Sequence, residues 1–348
     1  MAHFRKRTHK GAIRWDVTVT RKGAPRQSKT FQTKADGERW GRDTEREIDR
    51  GAWRSTDMAE RLTVGKLIER YGKEVLPKKK SASRLLSVAN KLIESDLAKL
   101  PLIALTPKRV ALHRDERLAT RARNGGKNGK LRKNMLSTQT VRHEITLLKR
   151  AIDEATREWG LYLPAGNPVA PIRLPSMGRP RDRRLTSGEF DRLMTAARAS
   201  RCANLADAIE LAVETAMRRE ELCSLTWDDV DLNRRVAHLN MTKNGESRDV
   251  PLSGRAIEIL TSRTRPLRPL PVLRIKSSAL SQTFRRVCRR IGLENLRWHD
   301  LRHEGTSRLA VKLEGDVMAL AAVTGHKSMQ MLKRYTHLRA EDLARRLA

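Results

Sequence analysis

Three cysteines in 348 residues, Cys202, Cys223 and Cys288, are too few and too scattered for a disulfide framework or a zinc site. They read as reduced side chains of the interior. No apolar stretch approaches the roughly 20 residues that span a bilayer, and no signal peptide precedes the basic start, so a membrane is not an expected partner. A Walker-type Gly-rich loop and clustered acidic metal ligands are both missing, so the chemistry is expected to need neither ATP nor a metal ion, and no cofactor is implied. Acidic residues are in deficit as well: 40 Asp and Glu stand against 73 Lys and Arg, which leaves a formal charge of +33 and a pI near 11.1.

Such a surface calls for a polyanion. Residues 1–60 carry +6, residues 61–180 carry +16 and residues 181–348 carry +11, so the middle third is expected to grip the most phosphate. With DNA as that polyanion, the chain is expected to be cytoplasmic. Its length allows two or three domains, and 39% hydrophobic residues suffice for compact cores.

Residues 1–57 read as a small unit. Ile13 to Val19 alternates apolar and polar, Arg21 to Pro25 turns and Gln27 to Phe31 returns, which predicts a β-hairpin. From Lys34 to about Arg50 the period becomes helical, with Trp40, Thr44 and Ile48 four apart, and Gly51 stops it. Residues 60–163 read as all helical: Thr63 caps a helix through Tyr71, two more run from Arg84 to Ile93 and from Pro107 to Leu118, and a long one runs from Ser137 or Thr138 to Trp159. Between Arg121 and Lys133 a Gly-rich basic run predicts a flexible loop that DNA would order. Prolines and glycines crowd residues 164–182, which read as a linker.

The last unit, residues 183–348, is expected to be mainly helical with a small β-sheet. Thr186 and Glu189 make a capping box for a helix through Ala197, and Ala206 to Met217 reads as a buried helix. Arg235 to Thr242 and Arg248 to Leu252 read as a hairpin turned at Asn244-Gly245. The chemistry lies near the end: Trp298-His299-Asp300-Leu301-Arg302-His303, then Thr324-Gly325-His326, then a lone Tyr335. Arginines clamp phosphate oxygens through charge-assisted forks, histidines move protons near neutral pH, and a tyrosine hydroxyl can attack phosphorus. His299 and Arg302, three apart on a helix, share one face, whereas Asp300 and His303 point elsewhere, His303 within reach as a supporting partner. Gly325 ends one helix and Ser328 caps the next, so that Met329, Leu332 and Tyr335 lie along one side of it.

The run Met217-Arg218-Arg219-Glu220-Glu221-Leu222 to Val230, the hairpin Thr242-Lys243-Asn244-Gly245, the His299/Arg302 box, His326 and Tyr335, in this order, resemble the tyrosine recombinase (phage integrase) family. The resemblance is strong over residues 184–340 and holds only in arrangement over 1–165. It implies a multidomain protein with an arm-type DNA-binding domain of β-sheet plus helix at 1–57, an all-α core-binding domain at 60–163 and an α+β catalytic domain. It implies that Arg218 and Arg302 clamp phosphate, Glu221 orients the site, Lys243 donates a proton to the 5′ oxygen and His299 is the general base. His326 then bonds a non-bridging oxygen, and Tyr335 is the nucleophile of a 3′-phosphotyrosyl intermediate.

The implied partners are double-stranded DNA bearing specific recombination sites, a homotetramer assembled on it, and DNA-bending or directionality proteins. Integration and shufflon-type inversion remain equally open. A type IB topoisomerase and a non-catalytic DNA-binding regulator are rival readings, the latter expected to lack Tyr335 or an arginine. Residues 1–57 could also be a basic protein-interaction module. The tail from His337 to Leu347 could dock on a neighbouring protomer or close its own core.

Overall fold

Alternation folds the N-terminal segment into three antiparallel strands, β1 (Ala2–His9), β2 (Ala12–Val19) and β3 (Gln27–Phe31), in the order β1-β2-β3. The sequence predicted the last two; β1 was missed because Arg5, Lys6 and Arg7 interrupt its apolar pattern. The structure, a computed structural model, describes residues 2–335 apart from 10–11, 23, 52, 124–130, 179–180, 182, 187, 241–246 and 266–269. Its contacts group the chain into two units, Met1–Arg179 and Pro180–Ala348.

Helix α1 (Lys34–Asp49) lies on one sheet face, capped by Thr33, whose side chain accepts from the Asp36 N–H. Gly37 and Gly41 make the approach close: a Cβ on Gly37 would lie 2.7 Å from Val17 Cγ2. On the other face the pairs Arg5↔Asp16 and Arg7↔Arg14 leave several cations against one acid, with Thr30 donating to Asp16 at 2.7 Å.

The helices α2 (Asp57–Arg61), α3 (Val64–Glu74), α4 (Ala82–Ile93), α5 (Pro107–Leu118) and α6 (Thr138–Glu158) follow. Thr63, Thr106 and Ser137 cap α3, α5 and α6 through their side chains, and Leu67, Ile68, Leu92, Ile145, Leu148 and Ile152 close the core. The all-helical expectation fails at β4 (Arg121–Arg123) and β5 (Leu131–Met135), an antiparallel pair. Glycine and charge stop helix propagation there, and the two flanking arms satisfy each other's backbone groups instead. The centre of the expected basic loop, residues 124–130, lies outside the described residues. Of the expected linker, the stretch to Pro175 packs on the helices: Val169 is buried, and Arg114 and Arg142 donate to the carbonyls of Arg173 and Pro175.

The second unit holds α7 (Glu189–Arg198), α8 (Leu205–Thr215), α9 (Arg219–Ser224), the antiparallel sheet β6 (Val230–Asp231), β7 (Val236–Leu239) and β8 (Arg248–Pro251), then α10 (Gly254–Thr261), α11 (Ser277–Arg290), α12 (Trp298–Lys312), α13 (Val317–Thr324) and α14 (Met329–Leu332). Helix α7 starts two residues later than its capping signal places it, because Gly188 rather than Thr186 takes the N-cap, with φ 76°, although Glu189 still accepts the Thr186 N–H at 2.8 Å. The expected hairpin is there, with Asn244-Gly245 outside the described residues. Among the described residues no helix is long and apolar enough to cross a membrane.

Helix α8 is the spine of this unit, and α12 crosses it at Gly305. A Cβ there would stand 2.4 Å from the carbonyl oxygen of Val213, which is impossible without moving backbone. Gly305→Ala should therefore cost about 1–3 kcal/mol of stability, as overpacking of a dense core does. Equilibrium urea unfolding checks it, and an unchanged midpoint would show that the two helices separate freely.

Candidate active site

Helix α8 ends at Ala216, whose φ of 48° turns the chain sharply, and Arg218 then takes an extended conformation as the N-cap of α9. Glu221, on the first turn of α9, accepts the Arg218 backbone N–H at 2.9 Å and its Nη1 at 2.7 Å. From β8, Arg248 donates to both oxygens of the same carboxylate, at 3.2 and 2.7 Å. Burial alone would raise the Glu221 pKa, but the bonds from Arg248 and Arg218 outweigh it and hold the group down at about 2. The sequence called Arg218 and Glu221 but missed Arg248, whose partner is 27 positions away and on another element.

Three further arginine hydrogen bonds close the cluster. Arg218 Nη2 donates to the Gly325 carbonyl at 3.1 Å. Arg302, 4% exposed, donates Nη1 to the Ala216 carbonyl and Nη2 to the Thr324 carbonyl, both at 2.6 Å. Those carbonyls end α8 and α13, where the helix dipoles place partial negative charge. Burial, with Arg218 nearby, pushes the Arg302 guanidinium down to about 10, so it stays charged at neutral pH. Gly325 caps α13 with φ 67°, and a Cβ on it would stand 2.9 Å from Arg248 Nη1. Glycine is thus required here both for the turn and for the guanidinium beside it.

The histidines depart from expectation in one respect. His299 and His303, one turn apart on α12, have ring centroids 4.9 Å apart, so His303 does not point elsewhere but shares the face of His299. Its Nδ1 is hydrogen-bonded to the Tyr335 hydroxyl, and the two rings stack at 6.0 Å. Four-residue spacing carries this correction: i,i+4 neighbours meet as well as i,i+3 ones.

Tyr335 is 7% exposed, with the Arg334 and Arg184 guanidiniums 5.0 and 5.7 Å from its ring centre. It lies beyond the end of α14, in a turn with its N–H on the Leu332 carbonyl at 2.8 Å, so it is not carried on one helix side with Met329 and Leu332 as expected. Ser328 does stand at the N-cap, without a side-chain capping bond. His326 Nδ1 lies 2.6 Å from Thr324 Oγ1, and that hydroxyl donates to Leu320 O. The hydroxyl proton being committed, His326 carries its own proton on Nδ1.

Burial, reinforced by neighbouring positive charge, lowers all three imidazoles: His303 to about 4, His326 to about 3, and His299 in direction. Burial raises Tyr335, with Arg334 and Arg302 opposing. Lys243 lies outside the described residues. Asp300 faces away from the cluster, towards Arg181. Among the described residues no group of three or more His, Cys, Asp or Glu is gathered to hold a metal ion.

The pattern of the phage integrase family matches residues 183–342. A shufflon-specific DNA recombinase of Escherichia coli is 38% identical over 289 residues, 82% of this chain and 72% of that protein. The chain belongs to the phage integrase family. Its fold is similar to that of a lambda integrase dimer bound to a COC′ core site, with TM-score 0.62 and 22% identity over 98% of this chain and 95% of the other. A lambda integrase tetramer bound to a Holliday junction gives TM-score 0.59 and 22% identity over 93% and 95%.

In this integrase-family chain Glu221→Gln leaves Arg218 and Arg248 facing an uncharged group and should destabilise the second unit by about 3–5 kcal/mol at neutral pH, the usual cost of breaking a buried pair. The wild-type carboxylate has its pKa depressed from 4.5 to about 2, so its contribution is complete above the first value and lost as pH falls through the second. The gap between the two proteins should narrow over that window. Urea unfolding of both at several acid pH values tests the sign.

Proposed function

We propose that the chain is a site-specific DNA recombinase that cleaves and rejoins strands through a phosphotyrosine bond at Tyr335. The observation that carries this reading is the convergence of two phosphate-clamping arginines, Arg218 and Arg302, with a tyrosine hydroxyl already bonded to an imidazole, in a chain of this family. Each guanidinium has five N–H donors, and the carbonyls of Ala216, Thr324 and Gly325 use only some of them. The rest are available to non-bridging phosphate oxygens, where each positioned donor is worth roughly 3 kcal/mol in the transition state.

Tyr335 Oη attacks phosphorus and its proton passes to His303 Nδ1, where its hydrogen bond lies. His299, the base that the resemblance implies, stands edge-on to His303 and can take the proton onward. The bond from phosphorus to the 5′ oxygen breaks, leaving a 3′-phosphotyrosine and a 5′ hydroxyl. Lys243 as donor to that oxygen rests on the resemblance alone. The 5′ hydroxyl of a partner strand reverses the step, so rejoining needs no outside energy. His326 can hydrogen-bond a phosphate oxygen through Nε2 once that nitrogen is protonated.

Strand exchange between two sites needs four such centres, which supports a homotetramer on double-stranded DNA, as in the lambda integrase junction complex. Residues 1–57 are read as the arm-type domain that grips flanking DNA with its cationic sheet face, and residues 60–163 as the core-binding domain. A mobile element or phage as source, work in the cytoplasm, and DNA-bending or directionality partners complete the reading. The 38% identity to a shufflon-specific recombinase favours a second reading within the same chemistry, inversion of a segment between two sites of one molecule.

Nicked suicide duplexes tiled from DNA flanking the gene should trap a covalent adduct with wild type, visible on a denaturing gel. Tyr335→Phe should give none while DNA affinity is retained; an adduct from that variant would remove Tyr335 from the role. His303→Ala should slow adduct formation by roughly 10²–10⁴-fold, the usual worth of a positioned acid–base group. An undiminished rate would return the base to His299 alone.

A further inference from the structure

Asp300 stands between the His299 and Arg302 positions of the proposed site, yet it is 1% exposed and takes no part in the phosphate cluster. One of its oxygens accepts the Arg297 backbone N–H at 2.8 Å and so fixes the first turn of α12. Both oxygens also receive the fork of Arg181, Nε at 3.3 Å and Nη2 at 2.7 Å. The same guanidinium donates Nη1 to Asn295 Oδ1 at 2.9 Å and Nη2 to the Asn295 carbonyl. Asn295 has φ 58°, so this loop is itself held in an uncommon conformation just before the helix. Arg181 comes from the chain segment that leads into the second unit and is otherwise remote from α12 in sequence.

We propose that Arg181 is a positioning residue for recombination, whose fork on Asp300 sets the roll and entry of α12 and with it the direction in which His299 and Arg302 meet the phosphate. This rests on the reading of Tyr335, His299 and Arg302 given above. A planar fork matched to a carboxylate fixes orientation as well as charge, which a lysine cannot do. Arg302 is two residues beyond Asp300 on the same helix, and its Nη atoms are pinned to Ala216 and Thr324. A roll of the first turn therefore strains that pinning directly. Displacement of a reacting group by 1 Å can cost about 10²-fold in rate.

There is an electrostatic consequence too. The charged and titratable groups whose fields reach His299 are Arg302 on its own helix, Asp300 on the same helix although its carboxylate is turned to Arg181, Arg218 at the start of α9, and Arg334 beside Tyr335, with His303 next to it. Asp300 favours its protonation and the arginines oppose it. Removing Arg181 leaves the Asp300 carboxylate less compensated, so the acid side of the cleavage profile should move to higher pH.

The test uses full-length protein and a suicide duplex that wild type cleaves, with single-turnover adduct formation followed on both sides of neutrality. Arg181→Gln is expected to cleave roughly 10- to 100-fold more slowly with DNA affinity retained, and its acid-side midpoint to rise. Arg181→Lys should recover part of the rate. Asp300→Asn should lose as much as Arg181→Gln, and the double variant no more than either, because both remove one interaction.

Cleavage by Arg181→Gln at the wild-type rate would overturn the proposal. So would losses that multiply in the double variant, or a slower rate with an unmoved pH profile that follows thermal stability alone. If wild type and Tyr335→Phe are equally silent on every duplex, the recombinase reading itself has failed. If they differ as expected while Arg181→Gln matches wild type, only the positioning role is lost.

Discussion

One buried carboxylate between two guanidiniums makes the rest of the second unit possible. Arg218, Arg248 and Arg302 converge in a space where, among the described residues, Glu221 supplies the balancing carboxylate, in a chain already carrying +33. Without it, two fixed cations would repel at close range and burial would be prohibitive. With it, Arg248 is committed to structure, holding Glu221 and the Val323 carbonyl, while Arg218 and Arg302 keep donors to spare. The remaining positive charge is what a phosphate would neutralise.

The second support is made of backbone. Three carbonyl oxygens, of Ala216, Thr324 and Gly325, receive Arg218 and Arg302, and each is left for a side-chain donor because a helix has just ended. Those endings depend on left-handed residues, Ala216 and Gly325, that turn the chain before the helical ladder can use the carbonyls. The distance between the two ends is in turn fixed by α12, which carries Arg302 and lies on α8 at a glycine. A helix crossing that leaves no room for a Cβ resists sliding, and the phosphate clamp proposed for Arg218 and Arg302 would need that stiffness to match a tetrahedral group.

Much of this was legible in the chain, and unevenly so. Helical periods and local signals such as the caps Thr63 and Ser137 located α3, α4, α5 and α6 to within a few residues at either end. Arg218, Glu221, His299, Arg302, His326 and Tyr335 could be named because residue types and their order resemble a family. Arg248, Thr324, Arg184 and Arg334 could not, because each acts through a partner brought close only by the tertiary fold, and an arginine on a strand looks like any solvated cation.

His303 was misread for a different reason: its i,i+4 relation to His299 was visible, but the three-residue spacing of His299 and Arg302 drew the face of the helix too narrowly. Strands β1, β4 and β5 were missed where basic residues hide the alternation. Asn244-Gly245, Lys243 and the tail beyond Tyr335 fall outside what the structure describes.

The histidines show how such a centre can be kept quiet. Burial and surrounding arginines leave His303 and His326 uncharged at neutral pH, with pKa values of about 4 and about 3. An imidazole that weakly basic is a poor acceptor for the Tyr335 proton, and Tyr335, raised by its own burial, is a reluctant donor. A phosphate anion seated on Arg218 and Arg302, as proposed, would reverse both conditions from one position. At about 4 Å and an effective dielectric near 20, a unit charge is worth roughly 4 kcal/mol. That is enough to carry an imidazole from about 4 to near neutrality, since each pKa unit corresponds to about 1.4 kcal/mol. The same negative charge would raise His326 from about 3 by a similar amount, towards the protonated form that can join the clamp. Substrate charge would then switch on the base and the clamp together, while the clamp arginines stay charged throughout because even the buried Arg302 titrates only near 10.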